Sequence, residues 1–220
     1  MELVDRCILL ISPEPWDHIF VSKHHYAQHL AELGNKVFFL NPPSDDFRID
    51  STGRKHLKVV NYKGFPKGLR FMPTWLQRHF FKSQFERIQQ LAGVSFDLVW
   101  SFDNSVFFDF KALPADVFKI SHIVDLNQNF QRDKAATTAD ICFCTTRYIK
   151  SELEKFNMNT HFVHHGLASQ KILKDVELPG KSEIKALYLG NLAMKYLDWA
   201  VIYKAAVANP EVDFIFIGSN

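Results

Sequence analysis

The chain has 220 residues, 47% of them apolar and 23% charged, with a net charge of +2. That length leaves room for one well-buried domain and the beginning of another at about 150 residues per domain, and the composition excludes a disordered chain. The charge is too small to argue for nucleic acid, and no apolar stretch approaches the roughly 20 residues that span a bilayer.

In chain order, short apolar runs alternate with segments of helical period. Strands are expected at Cys7 to Ser12, Lys36 to Asn41, Leu57 to Tyr62, Asp97 to Phe102, Val117 to Val124, Asp140 to Thr145 and Thr160 to His164. Continuous runs such as CILLI and VFFL are apolar at successive positions, as parallel strands covered on both faces require. The N-terminal segment has acids ahead of a short apolar run that ends in Pro, which reads as a core strand and not a signal peptide. Helices are expected at Lys23 to Leu33, stopped by Gly34, from Thr74 as N-cap to about Leu91, and at Arg147 to Phe156, stopped by Asn157. The pattern is α/β, a doubly wound parallel sheet. Residues 1–168 form this domain, 169–182 a linker, and 183–220 one βαβ unit with its helix at Tyr196 to Val207; such a unit cannot enclose a core alone. Three cysteines, with Cys142 and Cys144 alternating in an apolar run, read as buried strand thiols and imply neither a disulfide nor a metal.

Chemistry in an open α/β sheet sits at the carboxyl ends of the strands. Those ends carry Glu14, Trp16 and Asp17 after the first strand, Asp103 and Asn104 after the fourth, and His122 and Asp125 in and after the fifth. The first strand is not followed by GxGxxG, and GxxxxGK[ST], GxSxG, HExxH and paired CxxC are absent from the chain.

Blocks spread over nearly the whole chain carry a resemblance: PEPWD, KHHYAQHLAELGNKVFFLNPP, FDLVWSFDN, ADICFCTTRYIKSELEKFNMNTHFVHHGL and ALYLGNLAMKYLDWAVIYKAAVANPEVDFIFIGS. The chain resembles the retaining, group-1 glycosyltransferases of the GT-B fold, in which two Rossmann-like domains face each other across a cleft. A reducing cytoplasm is the expected setting from the cysteine usage. The resemblance implies an enzyme that moves a sugar from a nucleoside-diphosphate sugar to a glycan or lipid-linked acceptor, with no metal or other cofactor. By it, Gly190, Asn191 and Lys195 form the diphosphate turn of the donor domain, where many members carry an arginine at the position of Asn191. Glu14, Trp16, Asp17, Asp103 and Asn104 lie on the acceptor side, Trp16 either offering its face to a sugar or packing beneath the next helix. Asp125 orients an acceptor hydroxyl, acts as base or caps a helix, and His122 hydrogen-bonds the sugar. The family's acidic ExxxxxxxE motif is expected after Asn220, so the chain is expected to be an inactive portion of such an enzyme. A non-catalytic carbohydrate- or protein-binding module and a nucleotide-sugar epimerase are the competing readings.

Between Ser51 and Gln90 stand nine Lys or Arg against one acid, Glu86. On a helical wheel, Leu76, Phe80, Phe81, Phe85, Ile88 and Leu91 share one side and Arg78, His79, Lys82 and Glu86 the other. With Tyr62, Phe65 and Phe71 upstream, the stretch reads either as a helix lying on an anionic membrane or as one packed on the sheet with a solvated back.

Overall fold

A computed structural model describes residues 3–126, 131–166 and 177–218. The chain divides into two compact units, Met1–Ala168 and Ser169–Asn220. The first is an eight-stranded sheet in the order β3-β4-β2-β1-β5-β6-β7-β8. Its strands are β1 (Cys7–Ile11), β2 (Lys36–Leu40), β3 (Arg48–Ser51), β4 (Leu57–Asn61), β5 (Leu98–Ser101), β6 (Phe118–Ile123), β7 (Ile141–Cys144) and β8 (Thr160–Phe162). All seven expected strands are present and mutually parallel.

The alternation of side chains along β1 shows why helices lie on both faces. Leu9 and Ile11 join a core with Phe81, Phe85 and Ile88 of α2 (Thr74–Ala92), while Ile8 and Leu10 join a second core with Ala27, Leu30 and Ala31 of α1 (Ser22–Glu32). Helix α2 ends where Gly93, at φ 67°, adopts the left-handed conformation and donates its N–H to the Gln89 carbonyl at 2.9 Å. A third cluster packs Ile149 and Leu153 of α4 (Arg147–Leu153) on Ile123, Cys142 and Cys144. Burial pushes the Cys142 thiol up to about 12, so it remains an inert core thiol.

A strand and an α-helix escaped the sequence pattern. Strand β3 runs antiparallel to β4 at the sheet edge, and its RIDS sequence has no apolar run to betray it. The short helix α3 (Arg132–Thr138) lacks a capping side chain at its start. Pro73, not Thr74, occupies the N-cap of α2, and no side chain caps that end. Asn157 lies past the end of α4 and donates its amide to the carbonyls of Ala136 and Ala139 instead.

Helix α2 settles part of the basic stretch. Phe81, Phe85 and Ile88 are buried in the sheet core, with Tyr62 buried and Phe65 half-buried among them, so the apolar face of the helix is not available to a membrane. Where the helix meets α3, the carboxylate of Asp109 is fully buried between Arg78 Nε at 2.8 Å and Lys134 Nζ at 3.2 Å.

The second unit pairs β9 (Ile184–Leu189) in parallel with β10 (Val212–Ile217) and connects them through α5 (Trp199–Ala208). The helix buries none of its residues.

The buried carboxylate yields an asymmetric prediction. Replacing Arg78 and Lys134 together with Met strands the Asp109 charge and should cost about 3–5 kcal/mol, measured by urea unfolding. Asp109→Asn leaves two partly exposed cations that water can solvate, and should cost less. Equal losses would show that Asp109 does not depend on the pair.

Candidate active site

The strand order reverses between β1 and β5, so the loops that follow these two strands diverge and leave a crevice at the carboxyl edge of the sheet. Two of the expected acids meet there. Glu14 is held in the loop after β1 by Ser12, whose hydroxyl donates to the Glu14 carbonyl at 2.7 Å and accepts the Glu14 N–H at 3.1 Å. Asp103, after β5, accepts both the N–H and the hydroxyl of Ser105, at 2.7 and 2.6 Å. Burial raises the Asp103 pKa; the Ser105 bonds work against that rise, and the Glu14 charge adds to it. Beside them the buried side-chain amide nitrogen of Asn104 and the hydroxyl of Tyr62 have no hydrogen-bond partner among the described residues.

The residue that ties this crevice together is Lys23, which the sequence showed only as the start of a helix. Its side chain is buried and its ammonium forms an ion pair with Glu14. Lys23 also lowers the pKa of Asp103 and of His122 through its charge, though it is a lesser cause in both. A signal was available. The first turn of α1 contains no acid, and a cation there opposes the helix dipole unless a carboxylate compensates it.

His122, the penultimate residue of β6, is 2% exposed. Its ring stacks on Phe102 with centroids 4.5 Å apart. Trp100 Nε1, a donor only, bonds His122 Nδ1 at 3.3 Å, which makes Nδ1 the acceptor and leaves the proton of the neutral ring on Nε2. Burial first, then the charges of His165 and Lys23, push the His122 pKa down to about 3. Nε2 has no partner among the described residues. The residue itself belongs to the lining of a cavity of about 550 Å³ formed with Tyr26, His25, Thr145, His164 and His165, wholly within the first unit. The ring is therefore a fixed neutral N–H donor, not a base, at neutral pH.

The remaining expected residues lie elsewhere. Asp125 is exposed two positions beyond β6 and forms no part of the cavity lining; α3 starts only at Arg132, with Gln131 in the N-cap, so Asp125 caps no described helix. The Trp16 indole packs edge-on against Phe20 and Phe39, both at 5.0 Å between centroids, while its backbone N–H donates to Asn41 Oδ1 at 2.8 Å. Asn41 passes the bond on, donating to Asn61 Oδ1 at 2.8 Å, and Asn61 donates to Asp50 of β3 at 2.7 Å. Asp17 is exposed.

In the second unit Gly190, Asn191 and Lys195 do form the turn after β9, with Lys195 exposed. The turn bonds itself, however. The N–H of Gly190 goes to the Ile217 carbonyl at 3.0 Å, that of Ala193 to Asn191 Oδ1 at 2.8 Å, and that of Met194 to the Asn191 carbonyl at 3.4 Å. Helix α5 begins at Trp199 rather than Tyr196, and Asp198 caps it through the Val201 N–H at 3.0 Å. Three of the N–H groups of the turn, those of Gly190, Ala193 and Met194, are thus engaged within the second unit, and a carboxylate occupies the helix end.

No protein-family model and no curated protein sequence matches the chain. Solved structures do. Sucrose-phosphate synthase from Thermosynechococcus elongatus superposes with a TM-score of 0.61 at 12% identity, over 98% of this chain and 71% of its own. A glycotransferase of kitacinnamycin gives 0.57 at 11% identity over 97% of this chain, and S. aureus MnaA, solved with UDP, gives 0.50 at 13% over 96%. The fold is that of the GT-B glycosyltransferases. This chain spans 65% of the kitacinnamycin glycotransferase and 62% of MnaA, less than two thirds of each.

The histidine assignment is open to direct measurement. Between the unfolded pKa of about 6.5 and the folded value of about 3, the unfolded chain binds a proton that the native His122 refuses, so this group's contribution to stability falls as pH drops through that window. Asp103, with its raised pKa, works in the opposite sense. The imidazole nitrogen NMR shifts of His122 should therefore show the Nε2–H tautomer unchanged from pH 7 to pH 5, and titration near pH 6.5 would contradict the assignment.

Proposed function

We propose that this chain is the acceptor-side part of a glycosyltransferase that transfers a sugar from a nucleoside-diphosphate donor to a glycan or lipid-linked acceptor. The observation that carries the reading is the cavity of about 550 Å³ at the carboxyl edge of a GT-B-type sheet, whose lining includes Tyr26, His122, Thr145 and His164. His122 is assigned to a sugar hydroxyl, as a neutral donor unable to compete as a base with the acceptor's own catalyst. In the reaction the bond from the anomeric carbon to the diphosphate oxygen breaks and a bond to the acceptor oxygen forms. The acceptor proton passes to a base, for which exposed Asp125 is the candidate, and the nucleoside diphosphate leaves. Glu14 and Asp103, at the crevice between β1 and β5, are assigned to acceptor hydroxyls.

The donor diphosphate is assigned to Lys195 and the Gly190 turn, with Asn191 shaping that turn through its bond to the Ala193 N–H. Nucleotide sugar is the only small partner required, and the reading calls on no metal or other cofactor. Among the described residues no helix is long and apolar enough to cross a membrane; a cytoplasmic setting is part of the proposal.

The test is incubation of the intact enzyme to which this acceptor-side part is assigned with a panel of nucleotide sugars and glycan or polyprenyl-phosphate acceptors, followed by mass spectrometry. A glycosylated acceptor with stoichiometric free nucleoside diphosphate is expected. Isomerised nucleotide sugar without diphosphate release would replace the reading by an epimerase, and carbohydrate binding without turnover would replace it by a binding module. His122→Phe should lower kcat/KM by about 10- to 100-fold, the loss of one buried hydrogen bond to substrate.

A further inference from the structure

Between Lys67 and Lys82 the sequence holds four cations and no acid, and the fold divides the aromatic residues of this stretch between core and surface. Phe81 is fully buried, whereas Phe71 and Trp75 stand outside at 79% and 71% exposure. Phe71 ends a short 3-10 helix, Leu69–Phe71, which is clamped to the start of α2 by Gln77. That buried amide donates to the carbonyls of Arg70 at 3.2 Å and Met72 at 2.8 Å. The two exposed rings are therefore carried on one braced knuckle and not on a loose loop.

Cations accompany the rings. The Arg70 guanidinium lies 4.7 Å from the centroid of the Phe71 ring, and Lys67 is exposed one turn upstream. Helical spacing of four and seven places His79 and Lys82 on the face of Trp75, and both are exposed. Arg78, which is committed to Asp109, anchors the helix from behind.

Exposed apolar patches rimmed by polar residues mark interaction sites, and Phe71 and Trp75 stand four positions apart where the 3-10 helix meets α2. Trp settles at the headgroup level of a bilayer, and cations beside it gain from anionic lipid. We infer that Lys67, Arg70, Phe71, Trp75, His79 and Lys82 form a docking surface for an anionic lipid bilayer, with the two rings at headgroup depth and the cations against the lipid charges. Charge complementarity selects this occupant. This surface differs from the helical-wheel expectation, because the apolar face of α2 is spent on the core and the contact falls to the knuckle at its start. The inference is independent of the transferase reading.

The protein is sedimented with phosphatidylcholine vesicles that contain or lack phosphatidylserine, at low salt and at about 0.5 M salt, where the Debye length shrinks to a few Å. Binding is expected only with phosphatidylserine and only at low salt. Lys67→Gln with Lys82→Gln should weaken it about 25-fold, at about fivefold per lysine. Phe71→Ser with Trp75→Ser should weaken it at least tenfold while leaving the thermal midpoint unchanged, since neither ring is buried. Trp75→Phe should retain binding but lose the vesicle-induced blue shift of tryptophan emission. No binding to phosphatidylserine vesicles, equal binding to neutral ones, indifference to the loss of both rings, or tighter binding to a single-stranded oligonucleotide than to vesicles would each overturn the inference.

Discussion

Strand β1 is the element on which the rest of the first unit depends. It lies at the middle of the sheet, hydrogen-bonded to β2 on one side and β5 on the other, and its five residues feed two separate cores through alternate side chains. A strand so placed needs a helix on each face, which forces the chain to cross the sheet in both directions and so to reverse the strand order beside β1. The crevice at the reversal follows from that need for cover, before any functional residue is considered.

Lys23 shows what the crevice costs to maintain. A cation in the first turn of α1 works against the helix dipole, and burial of an ammonium is tolerated only with a partner. Glu14 supplies the charge from the loop that leads into the helix. The pair thereby links helix α1 to the loop after β1, and the Lys23 charge adds a lesser contribution, after burial, at Asp103 and His122. His122 is the complementary case, a titratable ring made neutral by its surroundings, with its tautomer dictated by the one-way donor Trp100.

The parallel strands were legible because apolar runs such as CILLI have a single physical reading in a chain of this length. β3 was not, because an antiparallel edge strand half open to water needs no apolar run, and RIDS resembles a loop. His122 was legible as a residue at a strand end, but its protonation state depends on Trp100 and Phe102, which lie more than 15 positions away in sequence and meet it only across the sheet. The turn at Gly190 matched the expected strand-turn-helix order, yet sequence could not reveal that Asn191 would turn its side chain back onto the Ala193 N–H. Nor could a helical wheel tell which aromatic residues of the basic stretch face inward, since Phe71 lies before the helix begins.

The chain of hydrogen bonds from Trp16 through Asn41 and Asn61 to Asp50 joins the loop after β1 to the outermost strand of the sheet. Each link is a side chain reaching from one strand end to the next, so the four positions behave as a tie-rod laid across the top of β2 and β4. An edge strand that contributes little to the core thus acquires a second task, as the abutment for a loop three strands away. Evolution can trim or extend that margin only by retuning the mouth of the crevice at the same time.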